Sequence, residues 1–283
     1  MTRTELTAPP SMAQLFAKAA LTARGRGGDL PDTRLARTQV PVDPGELAAY
    51  ARVCRFDLGN TLPVTYPHVL AFPLQLTLMS DRAFPLPLPG FVHLRNRIEQ
   101  LRGIGADEPL DLEVWAERFA RHRSGATVDL CASVSAGGEE VWRERSTYLS
   151  RGAEAPANAP ESDVEVAIGD VRAAATWRVP DDAGRRYAKV SGDVNPIHLS
   201  GLTAKAFGFK RAIAHGMWVK ARALAALSGR LPDAVVVDVG FRKPLFLPST
   251  VTLSSAEAGG GWDFAVRNAS SGSEHLVGTA RPA

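Results

Sequence analysis

The sequence predicts an α+β chain in which one plan occurs twice, a long helix with an antiparallel β-sheet wrapped round it. Three observations carry this. Helical apolar spacing gives way in each half to a run of strand-like segments, the order expected of helices packed on an antiparallel sheet. A stretch without periodicity, residues 152–163 (GAEAPANAPESD), is rich in Ala, Pro and acidic residues and reads as a linker. Segments on either side of it can also be laid over each other, LAAYARV (47–53) on GRRYAKV (184–190) and QLRGI (100–104) on FRKPL (241–245), at an offset of about 140 residues.

Residues before about 30 read as a loose arm or an extra helix. Asp43-Pro44-Gly45-Glu46 then opens a helix, with Asp43 as N-cap, Pro44 at the first helical position and Glu46 completing a capping box. Leu47, Tyr50, Ala51 and Cys54 form its apolar stripe. HVLAFPLQLTLM (68–79) matches RAIAHGMWVKARAL (211–224) in position and apolar character, and strands follow over 109–120, 126–135 and 140–149. The second half repeats the order. Ala183, Tyr187 and Val190 are spaced as on a helix, and an Ala-rich central helix runs from His215-Gly216 towards Gly229, a candidate stop. Strands follow over 234–243, 249–257, 262–269 and 274–281, the first alternating Val235, Val237, Val239 and Phe241 in the manner of a half-buried strand.

The bulk numbers exclude several classes. With 45% hydrophobic and 22% charged residues over 283 positions, the chain can bury a core without staples. A formal charge of +3, with no basic run interleaved with aromatics, argues against nucleic acid. Cys54 and Cys131 cannot build a disulfide framework, and no C-x-x-C is present for metal or redox chemistry. The start, Met1-Thr2-Arg3-Thr4-Glu5, lacks the layout of a signal peptide, and no apolar run is long enough to span a bilayer. The expectation is a cytoplasmic protein without membrane insertion.

The chemistry is concentrated in Tyr187-Ala188-Lys189-Val190-Ser191-Gly192-Asp193-Val194-Asn195-Pro196-Ile197-His198, followed by Gly208-Phe209 and Ala214-His215-Gly216-Met217. Asp193 and His198 lie five residues apart across an Asn-Pro turn, which can bring both side chains to one small volume. A carboxylate and an imidazole facing one pocket suit reversible hydration, in which one proton moves at carbon and another at oxygen. Gly216 begins a helix, so its N–H is free and lies at the positive end of the dipole, where it can meet a developing oxyanion. Without a side chain it admits close approach. Taken singly, Asp193 reads as a cap or turn residue and His198 as a structural histidine. His215 reads equally as an anchor of the helix start or a substrate contact, and Asn195 as a stabiliser of its own turn. His68, His93, His122 and His275 have no partner visible in sequence. Asp193, His198 and His215 do not have the spacing of a zinc site, so neither metal nor cofactor is expected.

The pattern G-D-x-N-P-x-H, with G-F and A-H-G-M downstream, resembles the MaoC-like dehydratases, which include R-specific enoyl-CoA hydratases and 3-hydroxyacyl-thioester dehydratases. The resemblance is tight over 187–217 and looser through FRKPL (241–245). It implies a double hot-dog fold, with Asp193 and His198 holding the water or hydroxyl, Gly216 N–H binding the thioester oxygen, and Asn195 positioning the water or the acid–base pair. The substrate would be an acyl-CoA or acyl-carrier-protein thioester.

Where the signature would fall in the first half stands CRFDLGNTLPVTYP (54–67), and Ala71-Phe72-Pro73 replaces Ala214-His215-Gly216. Phe cannot transfer a proton and Pro has no N–H. Residues 1–151 are therefore expected to form a degenerate hot-dog with an N-terminal arm, and 164–283 the catalytic one; the resemblance to two-hot-dog members of the family implies an acyl tunnel widened by the degenerate half. Two fused hot-dogs already satisfy the pairing usual in this fold, and a homodimer of the chain remains compatible with it. Two other functions fit the scaffold: a hot-dog thioesterase, and a non-catalytic subunit that binds acyl thioesters.

Overall fold

The computed structural model describes residues 2–8, 10–22, 25–88 and 90–283. Its first half runs β1 (Thr2–Glu5), α1 (Met12–Leu21), β2 (Thr33–Val40), α2 (Pro44–Cys54), α3 (Tyr66–Ser80), β3 (Phe91–Gln100), β4 (Leu110–His122), β5 (Gly125–Ala136) and β6 (Glu139–Arg151). The second half follows with β7 (Arg172–Val179), α4 (Ala183–Ser191), α5 (Pro196–Leu199), α6 (Gly201–Ala206), α7 (Gly216–Ala225), β8 (Val235–Phe241), β9 (Ser249–Ala258), β10 (Gly261–Asn268) and β11 (Glu274–Pro282).

The strands form one sheet in the order β1-β2-β4-β5-β6-β3-β8-β11-β10-β9-β7. Apart from β1, which pairs with β2 in parallel, the second half repeats the first in mirror order about the β3–β8 seam. Each half is a hot-dog sheet. Helix α3 packs on β2, β4 and β5, and α7 packs on β10 and β11. The two sheets are not separate, however. Antiparallel pairing from Arg95↔Gly240 to Gln100↔Val235 fuses them. The reason is the edge: β3 and β8 would each present an open row of N–H and C=O groups, and pairing satisfies both.

Local chemistry explains the helices near the site. Asp43 caps α2 by accepting the Glu46 N–H at 2.8 Å, with Pro44 in the first turn, and Leu47, Tyr50, Ala51 and Cys54 are buried. Helix α4 places Tyr187 against Tyr50 of α2, ring centroids 6.2 Å apart, so the two tyrosines aligned in sequence meet across the seam. Gly192 ends α4 in the left-handed region at φ +74°, a conformation that costs glycine little and turns the chain into the Asp193 loop. Both cysteines are buried, and burial raises both thiols, Cys54 to about 12. Neither is poised as a nucleophile.

Three sequence expectations need correction. The region before residue 30 contains both a strand and a helix, β1 and α1, tied down by pairing with β2 and by contacts of α1 with α3. Helix α7 ends at Ala225, with turns up to Gly229, whose φ is +75°. The third concerns α3. It starts at Tyr66, so Pro73 lies inside the helix and not at its beginning. Pro67 occupies the first turn, where its missing N–H costs nothing. His68, not Phe72, therefore sits at the start of the first half's central helix.

Candidate active site

The site is assembled from α4, the loop behind it, α5 and the start of α7. Asp193 is held by its own backbone: its N–H donates to Ser191 Oγ at 3.2 Å, and its Oδ1 accepts the Asn195 N–H at 3.2 Å. Asn195 in turn caps α5, accepting the Ile197 N–H at 3.4 Å. The short helix that follows carries His198. Its carbonyl oxygen leaves no room for a side chain at Gly184 of α4, where a Cβ would lie 2.0 Å away. Gly184 thus sets how closely α4 and α5 approach.

His198 is buried, and its Nδ1–H donates to the Ile213 carbonyl at 2.8 Å. The neutral ring must then carry its lone pair on Nε2. His215 is the N-cap residue of α7 and donates its Nε2–H to the Asp193 carbonyl at 2.9 Å. The two imidazoles stack with centroids 3.6 Å apart. Asp193, His198 and His215 each bring a ligand atom within 4.8 Å of the others. His215 Nε2 is engaged with a carbonyl and its Nδ1 is buried without a partner, so the groups exposed to act are the Asp193 carboxylate and His198 Nε2.

Burial pushes His198 below its ordinary value of 6.5, with Asp193 opposing the shift. Burial, reinforced by His198, pushes His215 down to about 3. Both rings are therefore neutral at pH 7. A neutral His198 is a proton acceptor, and the neighbouring carboxylate stabilises the imidazolium that forms when it accepts. The sign of the pH dependence follows. The active form is lost only as pH falls through a pKa lying below 6.5, so kcat/KM holds from neutrality down to that point and then declines. A pH–rate profile whose acid limb falls above pH 6.5 contradicts this.

Gly216 opens α7, and among the described residues no protein acceptor takes its N–H. A Cβ there would lie 2.9 Å from the Phe241 ring. Glycine therefore keeps the approach to that N–H open while the ring packs against it.

Asp193, Asn195, His198, His215 and Gly216 all line one cavity of about 200 Å³. Its wall is completed from the first half by Phe72, Leu76, Met79, Leu88 and Phe91, and its rim includes the exposed Arg242 and Lys243. All five residues singled out in sequence are thus brought together. On α4, Arg185 is engaged with the Leu199 carbonyl and Arg186 with Asp182, both away from the cavity. Sequence reasoning missed Gly184 and Ser191 as supports. Gly184 had a signal, since glycine in a helix costs about 1 kcal/mol relative to alanine and calls for a packing reason.

A family model described as "MaoC like domain" matches residues 157–276. Over 278 residues, 98% of this chain, the sequence is 38% identical to 3-hydroxyacyl-thioester dehydratase X of Mycobacterium tuberculosis, 99% of which is covered. The chain belongs to the MaoC-like family. Its structure superposes on the crystal structure of M. tuberculosis HtdX with a TM-score of 0.79, at 38% identity, over 88% of this chain and all of that one. A MaoC-like dehydratase from Phytophthora capsici, 20% identical, shares the fold with a TM-score of 0.73 over 90% of this chain and 96% of its own. The family model covers the half of this MaoC-like chain that holds Asp193, His198 and Gly216. Among the described residues no helix is long and apolar enough to cross a membrane.

Proposed function

We propose that this protein is a hydro-lyase that reversibly dehydrates (3R)-3-hydroxyacyl thioesters, carried on coenzyme A or an acyl carrier protein, to trans-2-enoyl thioesters in fatty-acid metabolism. The observation that carries the reading is the convergence of His198 Nε2, the Asp193 carboxylate and the free Gly216 N–H on one largely apolar cavity. The relative named 3-hydroxyacyl-thioester dehydratase supports it.

In the dehydration direction, His198 Nε2 takes the proton from C2, and the charge that develops on the thioester oxygen is met by Gly216 N–H. One preorganised donor of that kind lowers a barrier by roughly 3 kcal/mol. The imidazolium then returns the proton to the C3 hydroxyl as the C–O bond breaks, and Asp193 accepts a hydrogen bond from the departing water. Hydration runs the same steps backwards, with water held between Asp193 and His198. His215 and Asn195 act by position, one fixing the Asp193 carbonyl and the other the start of α5.

The division of labour proposed is a catalytic half at 164–283 and a first half, 1–151, that supplies cavity wall, joined through 152–163. Cytoplasmic location is part of the same reading. The test is loss of enoyl-thioester absorbance with crotonyl-, octenoyl- and dodecenoyl-CoA, with product stereochemistry read in parallel. Formation of the R alcohol is expected. Release of free thiol in its place would make the protein a thioesterase, and no reaction in any carrier form would leave a binding role.

A further inference from the structure

The cavity has a polar feature that the dehydration chemistry does not use. His68 lies in the first turn of α3, the first half's counterpart of α7, and lines the same cavity as His198. Its Nδ1 is 2.7 Å from Glu144 Oε1, and the Glu144 side chain is fully buried. A buried carboxylate is costly unless its lone pairs are satisfied and its charge is matched. Gln75 Nε2, Asn96 Nδ2 and Ser146 Oγ all donate to Glu144, and Asn96 also holds the buried Lys220 of α7 through its Oδ1. That much completes a structural network between the halves.

His68 adds something further. With Nδ1 turned to the carboxylate, its Nε2 is left for the cavity, and among the described residues no protein group takes it. His93, in the same wall, stacks on Tyr148 at 4.3 Å and has a buried Nε2 without any partner. The same wall holds Phe72, Leu76, Met79, Phe91 and Tyr148; the His93 nitrogen is sealed off within it, whereas His68 Nε2 stays open to the cavity. A cavity for plain alkyl chains has no use for an imidazole oriented by a buried carboxylate, and leaving such groups unpaired costs stability. A chain bearing a hydroxyl donates to the imidazole that faces the cavity.

Resting on the dehydratase reading, we propose that His68, oriented by Glu144, is a specificity-determining residue whose Nε2 accepts a hydrogen bond from a second hydroxyl on the acyl chain, away from the thioester. The substrate class is then a 3-hydroxyacyl thioester with a second hydroxyl, whose thioester end lies at Gly216 and whose distal part reaches the first half.

The test compares (3R)-3-hydroxydodecanoyl-CoA with a series carrying one further hydroxyl at successive positions along the chain. At the best position kcat/KM is expected to exceed that of the parent by about tenfold, the value of one well-placed hydrogen bond. Replacing His68 alone would strand a buried carboxylate, so the variant is the pair His68→Phe with Glu144→Gln. It keeps the volume, and Gln retains a side-chain oxygen to accept from Asn96 and Ser146. In that variant the ratio between hydroxylated and parent chains falls to about one, through KM and not kcat. A wild-type protein indifferent to the further hydroxyl at every position, or a variant that keeps the preference, overturns the proposal. A wild-type protein inert towards the parent chain as well overturns the dehydratase reading itself.

Discussion

Asp193→Asn lowers kcat by about 10³-fold, in the middle of the range for loss of a positioned acid–base group. The fold is expected to survive, because the amide oxygen of Asn can still accept the Asn195 N–H that Oδ1 accepts at 3.2 Å, and the backbone contacts with Ser191 and His215 do not involve the side chain. What is lost is the charge. Asp193 is the group that opposes the downward shift of His198, so in the proposed mechanism it stabilises the imidazolium formed when C2 is deprotonated. Without it His198 becomes a weaker base, and the departing or attacking water loses its acceptor. Steady-state kinetics beside thermal unfolding check both statements. Full turnover in a folded variant would remove Asp193 from the mechanism, and loss of folding would recast it as a structural residue.

Gly184→Ala is the second large effect, although this residue never touches the cavity. Its Cβ would stand 2.0 Å from the His198 carbonyl oxygen and 3.0 Å from the carbonyl carbon. Those are backbone atoms, so no rotamer change relieves the overlap. Helix α5 must move off α4, at a cost of about 3 kcal/mol, the upper part of the usual range for overpacking. His198 moves with α5, and the hydrogen bond to Ile213 that fixes its tautomer stretches. A displacement near 1 Å costs about 10²-fold in rate even far from the reacting atoms. The expected signature is a fall in kcat larger than the rise in KM, together with a lower Tm. Unchanged Tm and kcat would show that α5 is not positioned by α4.

Much of the site was legible in sequence because its residues are neighbours along the chain. Gly192, Asp193, Asn195, Pro196 and His198 form a turn and a one-turn helix, whose geometry follows from local rules: a left-handed glycine, an Asx turn, a proline in the first helical turn. Gly216 was legible for the same reason, as the first residue of a helix. The strands after each central helix were legible from their alternation, and the mirror order of the sheet agrees with the repeated plan read from LAAYARV and GRRYAKV.

The tertiary structure alone decided the rest, and the physical reason is that the remaining contacts join residues far apart in the chain. No local pattern says that β3 must pair with β8, because the need to close two sheet edges exists only once both sheets have formed. The start of α3 was misplaced by aligning Pro73 with Gly216. Proline at position 67 and packing on β4 and β5 extend that helix backwards, and this moves His68 into the first turn. His68 itself had no partner in sequence because Glu144 lies 76 residues away, on a strand that meets α3 only in the folded core. Local chemistry thus determined the loop from Asp193 to His198 and the free N–H of Gly216. Packing between the halves determined which side chains face them across the cavity, and with that which acyl chains the protein can hold.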